Sequence, residues 1–276
     1  QWHLNGAITN ADAQDRWMLT TPVSYPADGT AMNTLRKSAA NIRLGEYIAD
    51  ATAESIARYG LDTPRLVIRL HQAAGTIGAV GTTGSYATTD YPEATITLVI
   101  GEQESDLVDY VLYDGGIYRC STLLLRGVMN ADWQETITRY PVLTALGNLA
   151  SLSRETADGV DTWVITRTEQ VAENNELVTD DEGNQVYDIT LTKNGESADY
   201  TAFSAAYNQL MMVTMSGRLP DGWTAADAPH TVWTFTDVDG TVHTVALTRY
   251  DAMHDAVAID GVALFYLIQG GFSLGI

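Results

Sequence analysis

Two stretches of this chain, residues 27–44 and 198–215, carry one helical pattern at a constant offset, and that repeat limits the fold more than any other feature. Ala27, Asp28, Thr30 and Ala31 return as Ala198, Asp199, Thr201 and Ala202. The apolar positions Met32, Leu35, Ala39 and Ile42 return as Phe203, Ala206, Leu210 and Val213, a spacing that puts them on one face of a helix. Asp28 and Asp199 stand where an acid caps the positive helix end.

The flanks of the two helices also run in parallel. Trp2-His3-Leu4 with Trp17-Met18-Leu19 reads as a hairpin before the first, and Trp163 to Thr166 with Tyr187 to Leu191 as a hairpin before the second. After the first helix come an extended piece, Leu44 to Ala49, and a short helix, Thr52 to Tyr59. Gly60 suits a left-handed helix end, Leu61 folds back on the last turn, and Pro64 forbids continuation. Strands follow at Leu66 to Leu70, Ala94 to Ile100, Tyr110 to Leu112 and Ile117 to Cys120, closed by an Asp114-Gly115 turn. The second copy replaces the short helix by Asp221 to Pro229 and places strands at Thr231 to Thr236, Thr241 to Arg249, Ala256 to Ile259 and Val262 to Ile268. The expected class is α+β, an internally duplicated unit of hairpin, helix and antiparallel strand meander. Residues 1–130 form the first repeat, 131–159 a helical connector carrying Trp133, Ile137, Leu143, Leu146 and Leu149, and 160–276 the second repeat.

Fifteen basic against thirty-five acidic side chains give a net charge of -20, which repels phosphate backbones and removes nucleic acid from the expected partners. An apolar content of 45% is ample for a core. The single cysteine, Cys120, excludes an intramolecular disulfide and reads as a small, unreactive strand residue. Gln1 in place of an initiator methionine sets the expectation of a removed signal or anchor segment and a position outside the cytoplasm, the alternative being a start set by an expression tag or a trimmed disordered leader, while the most apolar stretch, Ala256 to Ile268, is too short to span a bilayer.

The run from Glu54 to Ile68, centred on Tyr59-Gly60-Leu61 and Pro64, with the later Tyr110-Val111 and Asp114-Gly115, resembles the central motif of the bacterial domain-of-unknown-function family 4340. The resemblance covers most of the first copy and, more weakly, the second, where the tyrosine-glycine-leucine element is missing. It implies a domain on the outer face of the cytoplasmic membrane of a gut-type Gram-positive bacterium, tethered by one N-terminal helix, beside ABC-type transport or gliding-associated systems. It supplies no catalytic residues.

Several local patterns resemble chemical sites and read better as structure. Gly271-Phe272-Ser273-Leu274-Gly275 matches a nucleophile elbow, yet only Ile276 follows and no helix completes it. Asp251, His254 and Asp255 cluster as a metal site would, without the further ligands a closed sphere needs. Asp237-Val238-Asp239-Gly240 lacks the rest of a calcium loop. Gly75, Gly78, Gly81 and Gly84 lead into a strand rather than a helix, so they describe an inserted hairpin loop, not a phosphate cradle. No cofactor, metal or catalytic set is read. The remaining candidates for ligand contact are aromatic: Tyr86 and Tyr91 on the insertion, Trp223 and Trp233 around Pro229. The expected function is a non-enzymatic, extracytoplasmic accessory or interaction module with a protein partner in the envelope. The alternatives are a carbohydrate or small-ligand binding surface and, remotely, a hydrolase built on His243 or His254. Residues 73–93 and 169–185, where the copies differ, are the expected seat of specificity.

Overall fold

Alternating apolar residues and glycine-bearing turns dominate the sequence, and the computed structural model is accordingly mostly antiparallel sheet with few helices. It describes residues 3–7, 16–80, 86–172, 177–180, 183 and 185–276. The coarse expectation of mixed helix and sheet therefore holds, weighted toward sheet.

In chain order, β1 (His3–Ala7), β2 (Arg16–Thr21) and β3 (Tyr25–Pro26) form a three-stranded sheet. Then come α1 (Gly29–Ala40), β4 (Leu44–Asp50), α2 (Ala53–Arg58), β5 (Leu66–Gln72), the hairpin β6 (Gly75–Val80) and β7 (Tyr86–Tyr91), and β8 (Ala94–Ser105). β9 (Val108–Tyr113), β10 (Gly116–Ser121), α3 (Thr122–Met129) and α4 (Trp133–Thr136) follow. The rest comprises β11 (Leu149–Thr156), β12 (Gly159–Glu169), β13 (Tyr187–Lys193), β14 (Glu196–Ala198), α5 (Tyr200–Met211), β15 (Gly217–Arg218), β16 (Thr231–Asp237), β17 (Val242–Arg249), β18 (His254–Ile259) and β19 (Val262–Ile268).

These elements group into two units, and the boundaries differ from those expected. Gly29–Thr136 is one, here the inserted unit; Gln1–Asp28 together with Ile137–Ile276 is the other, the flanking unit. The reason is local pairing: Ala27 bridges Ile137, the Thr138 N–H donates to the Pro26 carbonyl at 3.0 Å, and the ring of Tyr25 is buried 6.2 Å from that of Phe265. The opening hairpin thus belongs with the C-terminal residues.

The inserted unit is a five-stranded sheet in the order β4-β10-β9-β8-β5. Its core is aliphatic: Ile68, Leu98, Ile100, Val111 and Cys120 from the sheet meet Leu125 from α3. Burial, and then the charge of Asp109, raises the Cys120 thiol pKa, so the cysteine is the inert strand residue expected. Thr52 and Ser55 form a reciprocal capping box on α2. At the other end Gly60 adopts φ +65°, and Leu61 turns its N–H back to the Ile56 carbonyl at 2.9 Å, as the sequence predicts. This end lies on β8, where Glu102 donates to the Tyr59 carbonyl at 3.0 Å and a Cβ on Gly101 would collide with that carbonyl oxygen. Arg65, just beyond Pro64, donates to the Gly101 carbonyl at 2.6 Å and pairs with the fully buried Asp109.

The flanking unit carries a nine-stranded sheet in the order β14-β13-β12-β11-β16-β17-β18-β19-β15. Helix α5 covers one face with Phe203, Tyr207 and Leu210, and Asp199 caps it by accepting from the Thr201 and Ala202 N–H groups. The core beneath is aromatic. Trp163 stacks on Trp233 at 6.5 Å, Phe203 lies 6.3 Å from Trp163, and Tyr207 donates its hydroxyl to the Thr144 carbonyl at 2.9 Å.

Residues 131–159 are not a helical connector. Helix is confined to α4 and a 3-10 turn, Leu146–Asn148, and from Leu149 onward the chain is strand β11, which joins β12 to β16. The misleading signal has a physical source. A register shift between Leu149 and Ser151 lets Leu149 and Leu152 both be buried, so a bulged strand acquires the apolar spacing of a helix. No helix among the described residues is long and apolar enough to cross a membrane.

Candidate functional site

Alternation in the flanking sheet decides what its second face presents. Because Leu152, Trp163, Trp233, Phe235, Val245 and Leu247 are buried, their strand neighbours point the other way. The cross-strand register arranges these neighbours in rungs. Thr162, Ser153, Thr234 and Thr244 form one, and Val164, Ser151, Thr236 and Val242 the next. A third runs Val160, Glu155, Val232, Ala246, Ala258, Ala263. Glu155 is the one charged side chain on these rungs, in a chain with fifty charged residues of the Lys, Arg, Asp and Glu types. Apart from Glu155 the rungs carry short, uncharged side chains, with hydroxyls to share and little desolvation cost from ions.

Along one corner of this face the loop between β15 and β16 raises a wall. Trp223 and Pro229 stand over a floor of Ala246, Thr248, Ala256, Ala258 and Ala263, enclosing a groove of about 380 Å³. Methyl-sized residues on adjacent strands are what leave the space; a larger side chain at any of them would fill it. Trp223 is half-buried and held edge-on by Tyr250, ring centroids 6.0 Å apart. Tyr250 stacks on Tyr266 at 5.2 Å, and His254 meets the edge of Tyr266 at 4.9 Å. The wall is thus braced from behind, which lowers the entropy a ligand must remove when it packs against the indole.

The aromatic candidates separate in the structure. Trp223 lines the groove. Trp233 does not: it is 1% exposed, stacked on Trp163 and faced by Phe272 at 5.6 Å, because alternation in β16 turns it to the core. Tyr91 lies in β7 opposite Gly75, with its ring across that glycine. Tyr86 is in the same strand, its side chain outside the described residues, as are Gly81, Gly84 and most of the acidic run from Glu173 to Glu182. The sequence pointed to the tryptophans but not to the alanine floor, since alanine on a strand carries no signal until its register is known.

The ionisable candidates are consumed in turns and pairs. Asp251 accepts from the Met253 and His254 N–H groups and from the His254 ring at 2.9 Å, and these bonds, the one from Met253 foremost, hold its carboxyl below the usual range. Asp255 faces the opposite side of β18, buried, 3.2 Å from His230 Nε2 and 3.4 Å from Arg249. Asp251, His254 and Asp255 therefore do not converge on one ion, and no group of three metal-ligating side chains occurs among the described residues. His243 contacts Asp260 at 2.9 Å. Neither His243 nor His254 has a serine partner among the contacts of the described residues. Asp237 to Gly240 is a tight turn, with Gly240 donating to the Asp237 carbonyl at 2.9 Å.

Compared with known families, the sequence matches the one described as "Domain of unknown function (DUF4340)" over residues 17–231. The chain belongs to the DUF4340 family. No match was found among curated proteins or among solved structures. The DUF4340 match runs from β2 to the first residue of β16, so it includes the wall residues Trp223 and Pro229 and ends before the alanine floor on β17, β18 and β19.

Proposed function

We propose that this DUF4340 protein is a non-catalytic accessory or interaction module of a cell-envelope or ABC-transport-associated complex, working outside the cytoplasm and tethered by a segment outside residues 1–276. The observation that carries the reading is the second face of the flanking sheet: a net charge of -20 is kept off the rungs from Thr162 to Thr244 and from Val164 to Val242. Such a face suits a protein partner better than a substrate in water. Photo-crosslinking residues at Ser153 and Thr234 test it on intact cells, with exposed Glu196 as the control position. Adducts to a single envelope protein at the two face positions, abolished by Thr236→Arg, are expected. Equal labelling at Glu196, or none on the face, overturns the reading.

The same proposal takes the two halves as copies of one ancestral unit. Its support is that α1 and α5 are each twelve residues long, that Met32 and Ala39 are buried in one as Phe203 and Leu210 are in the other, and that each helix leads to a strand beside the last strand of a meander.

A second reading has its own observation. The groove beneath Trp223 combines an aromatic wall, a flat apolar floor and threonine hydroxyls, the surface that the apolar face and hydroxyl rim of a sugar ring would match. Titration with envelope-type glycans should quench Trp223 fluorescence and raise the melting temperature, both lost in Trp223→Ala. No response at millimolar glycan sinks it.

A further inference from the structure

Among the differences between the two meanders is the strand beside their first member. In the flanking unit β16 is paired along its length with β11, from Thr231 opposite Thr156 to Asp237 opposite Leu149. The corresponding first strand of the inserted unit, β5, pairs with β8 on one side and ends the sheet on the other, with no further strand among the described residues. Its register with β8 is unbroken from Leu66 to Gln72, without bulge or internal proline. Edges of this kind are normally bent, shortened or covered, because their free backbone groups pair with any compatible strand.

We infer that the outer edge of β5 is a docking site for an extended segment of a partner protein, added antiparallel, with alternating apolar residues and a carboxylate opposite Arg69. The molecule itself shows what covers such an edge, since β11 does so in the flanking unit with buried Leu149 and Leu152 on one side and serines on the other. Charge selects the partner. Arg69 is exposed at the centre of β5, with no ion pair among the described residues. A second copy of this chain laid antiparallel in full overlap would set Arg69 against Arg69, between two molecules each of charge -20. An acidic residue at that position of a foreign strand gains what the self-pair loses. Main-chain hydrogen bonds would supply the affinity and the alternation the specificity.

The site is separate from the rungs and groove of the flanking unit. The probe is a synthetic peptide of residues 149–156 carrying Ser153→Asp, because Ser153 lies opposite Thr234, the central residue of β16 as Arg69 is of β5. Added to the full chain at millimolar concentration, it should slow hydrogen exchange of the β5 amides about tenfold, leaving β16 unchanged. Arg69→Glu should abolish the effect, and the same peptide with Ser153→Lys should restore it on that variant. No slowing, equal slowing by a scrambled peptide, or failure of the charge swap overturns the inference. Protection of β5 that rises with protein concentration alone overturns it in favour of self-association.

Discussion

The strands β4-β10-β9-β8-β5 and β15-β19-β18-β17-β16 follow the same order, yet they are filled in opposite ways. The inserted unit packs branched aliphatics and a cysteine; the flanking unit packs two tryptophans, three phenylalanines and two tyrosines among its largest fully buried side chains. Strand order is set by turns and alternation, which tolerate either filling, whereas core volume is set by what covers the sheet. Under α5 the flanking sheet admits rings stacked between helix and strands. The inserted sheet meets the short helix α3 through Leu125 and closes around smaller residues.

That contrast can be broken most sharply at matched positions. Trp233 and Ile68 are each the third residue of their strand and each buried. Trp233→Ala should cost about 4 kcal/mol and Ile68→Ala about 3 kcal/mol, read by denaturant unfolding with tryptophan fluorescence and amide exchange to separate the units. Equal losses, or a Trp233 loss confined to the inserted unit, would contradict the packing described. Next comes a buried carboxylate of the inserted unit, Asp109, paired with Arg65. Arg65→Ala strands Asp109 and should cost about 2 kcal/mol, at the low end because the guanidinium is one-third exposed, and Asp109→Asn added to it should recover part of the loss. The helix caps should then weigh alike in both units: Asp199→Ala and Thr52→Ala are each expected to cost about 1 kcal/mol by the same measurement.

The smallest effect is acid sensitivity. Glu104 in the inserted unit is held below the usual carboxylate range by hydrogen bonds from Arg119, at 2.6 and 2.5 Å, and Asp161 in the flanking unit by Asn194 first and Arg154 second. A carboxylate lowered on folding adds stability above its unfolded pKa, and that stability is lost as pH falls through its folded value. Both contributions therefore begin to fade as the pH falls below about 4 and are gone once it has passed the folded values. Glu104→Gln and Asp161→Asn should each flatten the acid limb of the melting temperature, slightly, since both groups are exposed to solvent.

How far the fold was legible follows from how local each signal is. The Gly60 helix end, the cap at Asp199 and the Asp114-Gly115 turn depend on neighbours within a few residues, and the structure has all of them: Asp114 adopts φ 46° and is followed by a positive-φ glycine. Three things depended on distant residues and were misread or invisible. The bulge in β11 disguised a strand as a helix. The pairing of Ala27 with Ile137 moved the opening hairpin into the other unit. The groove needed the register of three strands before Ala246, Ala258 and Ala263 could be seen side by side. Trp233 was misjudged for a simpler reason: proximity to Pro229 in sequence says nothing about which face of β16 a ring occupies.

The bridge between Ala27 and Ile137, with Thr138 bonded to Pro26, also has a mechanical meaning. The chain leaves the flanking unit and returns to it through two segments clasped side by side, so the clasp lies across the path of any tension along the backbone. A pull drawing β2 away from β11 is borne first by that clasp, and the inserted unit stays slack until it parts.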